Sequence, residues 1–231
     1  MKKYMFLSLM LFSIGASAQK REIIETASGE DLTKKASIQI QYLFPEFTRG
    51  DVYYLGSPKG SGMLNYNMLL GEMQFLENGQ VLALANVKNV VVVTINNRKF
   101  YLFNEKEFVE ELLSTDQWKL RVRRKGNVAE HSKKGAYGTT SSTSSITSYS
   151  SISADNQQHN LSVVENVLIS LNCFYYLVGT NGKYVQIKNH KTFTKQFPEH
   201  KALIEAFVKE NKIQFDNEND LKTLLEYCSK L

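Results

Sequence analysis

Beyond its first eighteen residues, no apolar run in this chain approaches the roughly 20 residues that span a bilayer as a helix, so no membrane-spanning helix is expected. Charge of one sign is short as well. With those eighteen residues set aside, 26 Lys and Arg face 23 Asp and Glu, and a net charge of +3 is too small to imply a nucleic-acid partner. The four histidines, His131, His159, His190 and His200, never sit at a spacing that sets two on one helix face, and no H-E-x-x-H occurs. A metal would need ligands gathered from distant segments, so none is expected. Gly56-Ser57-Pro58-Lys59-Gly60-Ser61-Gly62 is glycine-rich and carries a lysine, but lacks the spacing and the Gly-Lys-Ser/Thr ending of a P-loop, and reads as an ordinary turn rather than an anion cradle. No serine has a glycine-flanked nucleophile elbow around it. No catalytic residue and no cofactor is therefore nominated.

What is present begins with an export signal. Lys2 and Lys3 form a charged start, Tyr4 to Ile14 is almost wholly apolar, and Ala16-Ser17-Ala18 is the small-residue pattern a signal peptidase accepts. Cleavage is expected after Ala18. No cysteine lies beside that point to carry a lipid, so the expectation is an exported periplasmic or secreted chain of 213 residues that is not lipid-anchored.

Three prolines, Asn-rich corners and many Val, Ile, Tyr and Phe lean the remainder toward strands. The stretch from Leu64 to Phe103 is cut at Asn78-Gly79 and Asn96-Asn97, residue pairs that tolerate the positive φ of a type I′ hairpin, which reads as an antiparallel meander. Upstream, Gln19 to Lys35 is weakly patterned and reads as an irregular tail. Ile38, Ile40 and Tyr42 alternate with polar residues as a half-buried strand would. Val52 to Leu55 reads as another strand. Val90 to Ile95 has no polar side, which predicts a central strand covered on both faces. Glu105 to Leu113 fits either a helix or a strand.

From Thr139 to Ser153, twelve of fifteen residues are Ser or Thr, too polar to offset their ordering entropy, so a loop or linker is expected. Val167 to Val178 and Tyr184 to Ile187 flank Asn181-Gly182 as a further hairpin. Pro198 opens a helix carrying Leu203, Ile204, Phe207 and Val208. Asp216 to Asn219 cap a last one with Leu221, Leu224, Leu225 and Cys228 on one stripe. The expected fold is α+β: an antiparallel β meander, sandwich- or barrel-like, followed by a β-hairpin with two C-terminal helices. The boundaries are 1–18 for the signal peptide, 19–130 for a β-rich domain, 131–160 for the Ser/Thr-rich loop or linker and 161–231 for the hairpin and helices.

The sharpest surface feature is Trp118 to Lys125, where Lys119, Arg121, Arg123 and Lys125 alternate with Leu120, Val122 and Arg124. On a strand they would line one face at roughly 6.6 Å intervals. Such a face fits an acidic glycan, lipid phosphate or an acidic protein partner; it equally fits a solvated strand guarded by its own charge. Cys173 and Cys228 both fall on apolar faces, as a bridge worth on the order of 4 kcal/mol or as two buried thiols, and both readings stand. Glu72, Glu77, Glu105 and Glu107 lie near the central strands, where salt bridges to Arg98 or Lys99 are expected ahead of acid/base catalysis. Tyr53, Tyr54 and Tyr66 suit a sugar platform or a core.

Leu64-Asn65-Tyr66-Asn67, Gly71-Glu72-Met73, the Val-rich strand with Arg98-Lys99-Phe100, Gly135-Ala136-Tyr137-Gly138 and Phe197-Pro198 together resemble an uncharacterised family of exported, signal-peptide-bearing proteins of Gram-negative bacteria. The resemblance implies export and supplies no catalytic residues. The expected function is that of a non-enzymatic envelope or secreted protein, binding a protein partner or acidic glycan through its basic β face. A hydrolase with a carboxylate site assembled from distant residues, or a structural subunit, is the alternative.

Overall fold

The computed structural model describes residues 20–26, 32–134, 140–141, 148–149 and 165–231. The signal peptide and most of the Ser/Thr tract lie outside the described residues. The strands are β1 (Arg21–Thr26), β2 (Thr48–Tyr54), β3 (Gly60–Asn67), β4 (Glu72–Glu77), β5 (Gln80–Ala83), β6 (Val90–Ile95), β7 (Arg98–Leu102), β8 (Phe108–Ser114), β9 (Trp118–Lys134), β10 (Thr140–Ser141), β11 (Ser148–Tyr149), β12 (Glu165–Gly179) and β13 (Tyr184–Ile187). Among the described residues they form one antiparallel sheet in the order β1-β12-β9-β8-β7-β6-β2-β3-β4-β5, with β10 and β11 on β9 and β13 on β12. The helices are α1 (Leu32–Lys35), α2 (Ile38–Gln41), α3 (His190–Thr194), α4 (Lys201–Glu210) and α5 (Glu218–Cys228). The protein is thus α+β, an open antiparallel sheet of meander type with short helices at its C-terminal end.

The hairpins follow from their corners. Asn78 and Gly79 take φ of 49° and 79°, and Asn96 and Asn97 take 48° and 62°, the two left-handed residues that let a type I′ turn match strand twist. Glu77 pairs with Gln80 and Ile95 with Arg98 across them. After β12 only Gly182 is left-handed, with φ of 73°, in a longer connection closed by the Val178–Tyr184 pair. β12 pairs with β9 along its whole length, so the segments on either side of the Ser/Thr tract share one sheet.

Three expectations are corrected and one open alternative is decided. Arg21–Thr26 is an edge strand, not a tail, because Ile24 reaches the core from a register set by β12. Ile38 to Gln41 is a helical turn: there the two isoleucines diverge, with Ile40 2% exposed and Ile38 56%. β6 is central but covered on one side only; Val91 is 51% exposed, as expected where an antiparallel sheet keeps one face toward water. Glu105 to Leu113 resolves as β8 preceded by a bend.

Two cores lie along one face of the sheet. In the first, Tyr66 from β3 sits fully buried against Phe100, and its hydroxyl lies 2.9 Å from the Phe108 carbonyl and 3.3 Å from that of Arg124. A β3 side chain touching β8 and β9 means that the sheet folds back over itself. Leu69 seals the approach over Gly126, where a Cβ would come within 2.8 Å of it. In the second core, Leu120, Val122 and Leu177 from the sheet meet Phe193, Ile204 and Leu224 from the helices. Full burial of each such side chain stabilises by about 1.5–3 kcal/mol. Asn217 caps α5 by accepting from the backbone of Asn219 and Asp220, and the stripe Leu221, Leu224, Leu225 and Cys228 is buried as its spacing dictates.

Between the two cores runs a charge ladder whose middle pair, Glu110 and Arg124, is buried. Arg98 donates to Glu110 at 2.7 Å, Arg124 bonds Glu110 on one side and Glu218 of α5 at 3.0 Å on the other, and Lys222 closes the series on Glu218 at 2.7 Å. These alternating charges tie the last helix to the middle of the sheet.

Candidate functional site

The opposite, outer face of the sheet holds the cations singled out in the sequence. Lys119, Arg121, Arg123 and Lys125 sit on β9 opposite Val178, Tyr176, Phe174 and Asn172 of β12, so they share the face turned away from the two cores. Pairing brings them acidic neighbours from β8 and from Glu107 just before it. Arg121 reaches Glu111 at 3.1 Å and also bonds the Tyr184 hydroxyl. Arg123 and Lys125 reach the two oxygens of Glu107 at 3.3 and 3.2 Å. Lys119 is exposed.

Aromatic rings surround these guanidinium groups. Arg121 lies 3.9 Å over the ring of Tyr101, and Arg123 lies 5.3 Å from Phe103 and 4.9 Å from Phe174. Phe103, Tyr176 and Tyr184 pack on one another at 5.2 to 5.9 Å. Cation–π contact of this kind holds a planar guanidinium flat against its ring. The Nε of Arg123 is buried without an acceptor among the described residues.

Glu107 organises the lower half of the site. Burial works to raise its carboxyl, but hydrogen bonds from Asn104 and Lys125 and the charges of Lys125 and Arg123 outweigh that and hold it below the ordinary range. It is thus an anion at neutral pH, which keeps Arg123 and Lys125 in place. Burial raises the phenols of Tyr101 and Tyr176. Both stay neutral and offer rings and hydroxyl donors.

The same face continues sideways. A register row runs through Asp51, Thr94, Lys99, Glu111, Arg121 and Tyr176, crossing six strands with polar or charged side chains. At its far end a hollow of 570 Å³ is lined by Arg49, Asp51, Asn96, Asn97 and Lys99 among others. The lysine of the glycine-rich turn is committed here, since Lys59 pairs with Asp51 at 2.9 Å.

The other nominated residues are placed as follows. Glu72 pairs with Lys106 at 3.7 Å, and Glu107 with Arg123 and Lys125, while Arg98 takes Glu110 as its partner; the expected pairing of these carboxylates with Arg98 or Lys99 is replaced by these pairs. Tyr66 belongs to the core, whereas Tyr53 is 38% exposed with Lys59 over its ring. Both cysteines are free thiols. Cys173 lines a groove of 720 Å³ with Tyr175, His190 and Asp216, while Cys228 is buried in α5, where burial pushes its thiol up to about 12. Among the described residues no group of three or more His, Cys, Asp or Glu is placed to hold a metal, and no helix is long and apolar enough to cross a membrane.

Compared with protein-family models, with curated proteins and with solved structures, the chain matches none. The site therefore stands on its own chemistry. The alternation of the four cations was visible in the sequence. Tyr101, Phe103, Phe174, Tyr176 and Glu111 were missed as site residues, and Glu107 was noted without its link to the basic strand, because their neighbourhood to β9 depends on the pairing of strands distant in sequence. The alternation Tyr101, Phe103 and Phe174, Tyr176 was the only local signal.

Proposed function

We propose that this chain is an exported, non-enzymatic envelope or secreted protein that binds an acidic glycan on the outer face of β9. The observation that carries the reading is the combination of a cation row with an aromatic floor: Lys119, Arg121, Arg123 and Lys125 beside Tyr101, Phe103, Tyr176 and Tyr184. Uronic acid or sulfated sugars present an anionic group for the cations and an apolar C–H face for the rings. Arg121 and Arg123 are held flat and partly neutralised by Glu111 and Glu107, so they act as oriented donors. Lys119 and Lys125, exposed and half-exposed, supply the accessible charge. The fold-back of the sheet fits the sandwich- or barrel-like closure expected of the meander, which would set this face as a rigid wall.

A hydrolase would need two carboxylates converging on one cleft. Glu107 and Glu110 instead face opposite sides of the sheet, and each is engaged by two cations, which favours the binding reading. The test is retention on immobilised polygalacturonic acid across a salt gradient. The wild-type chain is expected to bind at low salt and elute as salt shortens the screening length. Lys119→Ser with Lys125→Ser, substitutions that leave the packed guanidinium groups in place, should elute several-fold earlier. Equal retention of this variant and the wild type would remove the basic face from the account.

A further inference from the structure

The two borders of the sheet are unlike. One is closed: β1 carries Arg21, Glu22 and Glu25, and the side chains of β13 are half-buried or buried. The other ends in β5, Gln80-Val81-Leu82-Ala83, which pairs only with β4 among the described residues and is exposed at all four positions. It has no charge, no proline and no bulge, the devices that normally keep a free edge from pairing.

The backbone of β5 is set up for a partner. Across the two-residue turn Asn78-Gly79, Glu77 and Gln80 form the closing pair, and Phe75 and Leu82 are the next hydrogen-bonded pair; Leu84 N–H continues to Met73 at 2.9 Å. By that alternation Val81 and Ala83 turn their N–H and C=O groups outward. The side chains match. On the outer face Met63, Leu76 and Val81 are directly opposite one another across three strands and are 43%, 39% and 46% exposed. On the inner face the row Leu64, Phe75, Leu82 runs from the core to the edge, where Leu82 is still 40% exposed.

We infer that β5 is a self-association edge, at which a second copy of this chain adds its own β5 antiparallel about a two-fold axis. The occupant is argued from symmetry and charge. With the axis through Leu82, Val81 of each copy exchanges both backbone hydrogen bonds with Ala83 of the other, and the two Leu82 side chains meet in the close, non-hydrogen-bonded pair. Both apolar rows continue into the neighbour. The strand is neutral, so nothing repels its own image, and in chain order an acidic residue, Glu77, precedes it while a basic one, Lys88, follows the edge segment. A four-residue contact is smaller than the roughly 800 Å² per partner typical of a stable complex. The dimer is therefore weak and concentration-dependent.

Sedimentation equilibrium of the purified full chain over a wide concentration range, combined with amide exchange, tests this. The average mass is expected to climb toward twice the monomer value, with exchange at Val81 and Ala83 slowing in step. Val81→Pro removes an outward donor that no backbone bond among the described residues uses, and Val81→Lys adds an edge charge. Both should hold the monomer mass at every concentration while circular dichroism stays as in the wild type. A wild type that remains monomeric throughout overturns the inference, as does a Val81→Pro variant that still doubles in mass. Protection of Val81 and Ala83 only when an added extended apolar peptide is present would also overturn it, assigning the edge to a peptide instead.

Discussion

Glu110 is the side chain on which most of the interior electrostatics turns. It is 3% exposed, and burial alone would raise its carboxyl; the hydrogen bond from Arg98 and the charges of Arg124 and Arg98 reverse this and hold it below its ordinary value of 4.5. A carboxyl depressed in the folded chain contributes stability that is complete above its unfolded value and is lost as pH falls through the folded one. Denaturant midpoints are therefore expected to be flat above about pH 5 and to fall below 4.5, with Glu107 adding to the same limb. Glu110→Gln should flatten that acid limb and cost stability at neutral pH, on the order of 3 kcal/mol, because the buried Arg124 keeps only the part-exposed Glu218 as its counter-charge and Arg98 loses its own. An unchanged acid limb in Glu110→Gln would place the pH sensitivity elsewhere. None of this was visible in the sequence, where Arg98 stood nearer to Glu105 and Glu107 than to its actual partner, and where Glu218 lay 94 residues from the Arg124 it binds.

Among the elements, local chemistry decided most of what could be read in advance. Asn78-Gly79 and Asn96-Asn97 make their turns because two adjacent left-handed residues are rarely tolerated by other side chains, so these hairpins were legible. The stripe on α5 was legible for the same reason, since Leu221, Leu224, Leu225 and Cys228 leave one buried face at helical spacing. Ile38 and Ile40 misled because two residues apart is a strand signal, yet a single helical turn accommodates it by burying one and exposing the other. β1 was illegible because its register comes from β12, more than a hundred residues away. A position that matters equally is Gly50, whose sequence context is unremarkable. A Cβ there would stand 2.5 Å from the Thr94 carbonyl oxygen and 2.9 Å from Leu64, both fixed by the β2–β6 and β2–β3 pairings. Gly50→Ala is expected to destabilise by about 1–3 kcal/mol, seen as a lower urea midpoint with an unchanged slope. A neutral effect would mean that β2 can move away from β6 without loss.

For the molecule as a whole, one sheet has two unlike faces. Its inner face holds both cores and the ladder Arg98, Glu110, Arg124, Glu218 that fastens α5; its outer face carries the oriented cations and rings. The inner ladder fixes the β8–β9 pair, and the same two strands present Glu111, Arg121 and Arg123 to the other side, with Glu107 just ahead of β8. Rigidity inside thus becomes orientation outside. The most direct measurement is the NMR titration of the chain with oligogalacturonate, following aromatic and arginine side-chain signals. Shifts concentrated at Tyr101, Phe103, Tyr176, Tyr184, Arg121 and Arg123 are predicted, weakening as salt is added. Shifts confined to the helices, or none at any concentration, would contradict it.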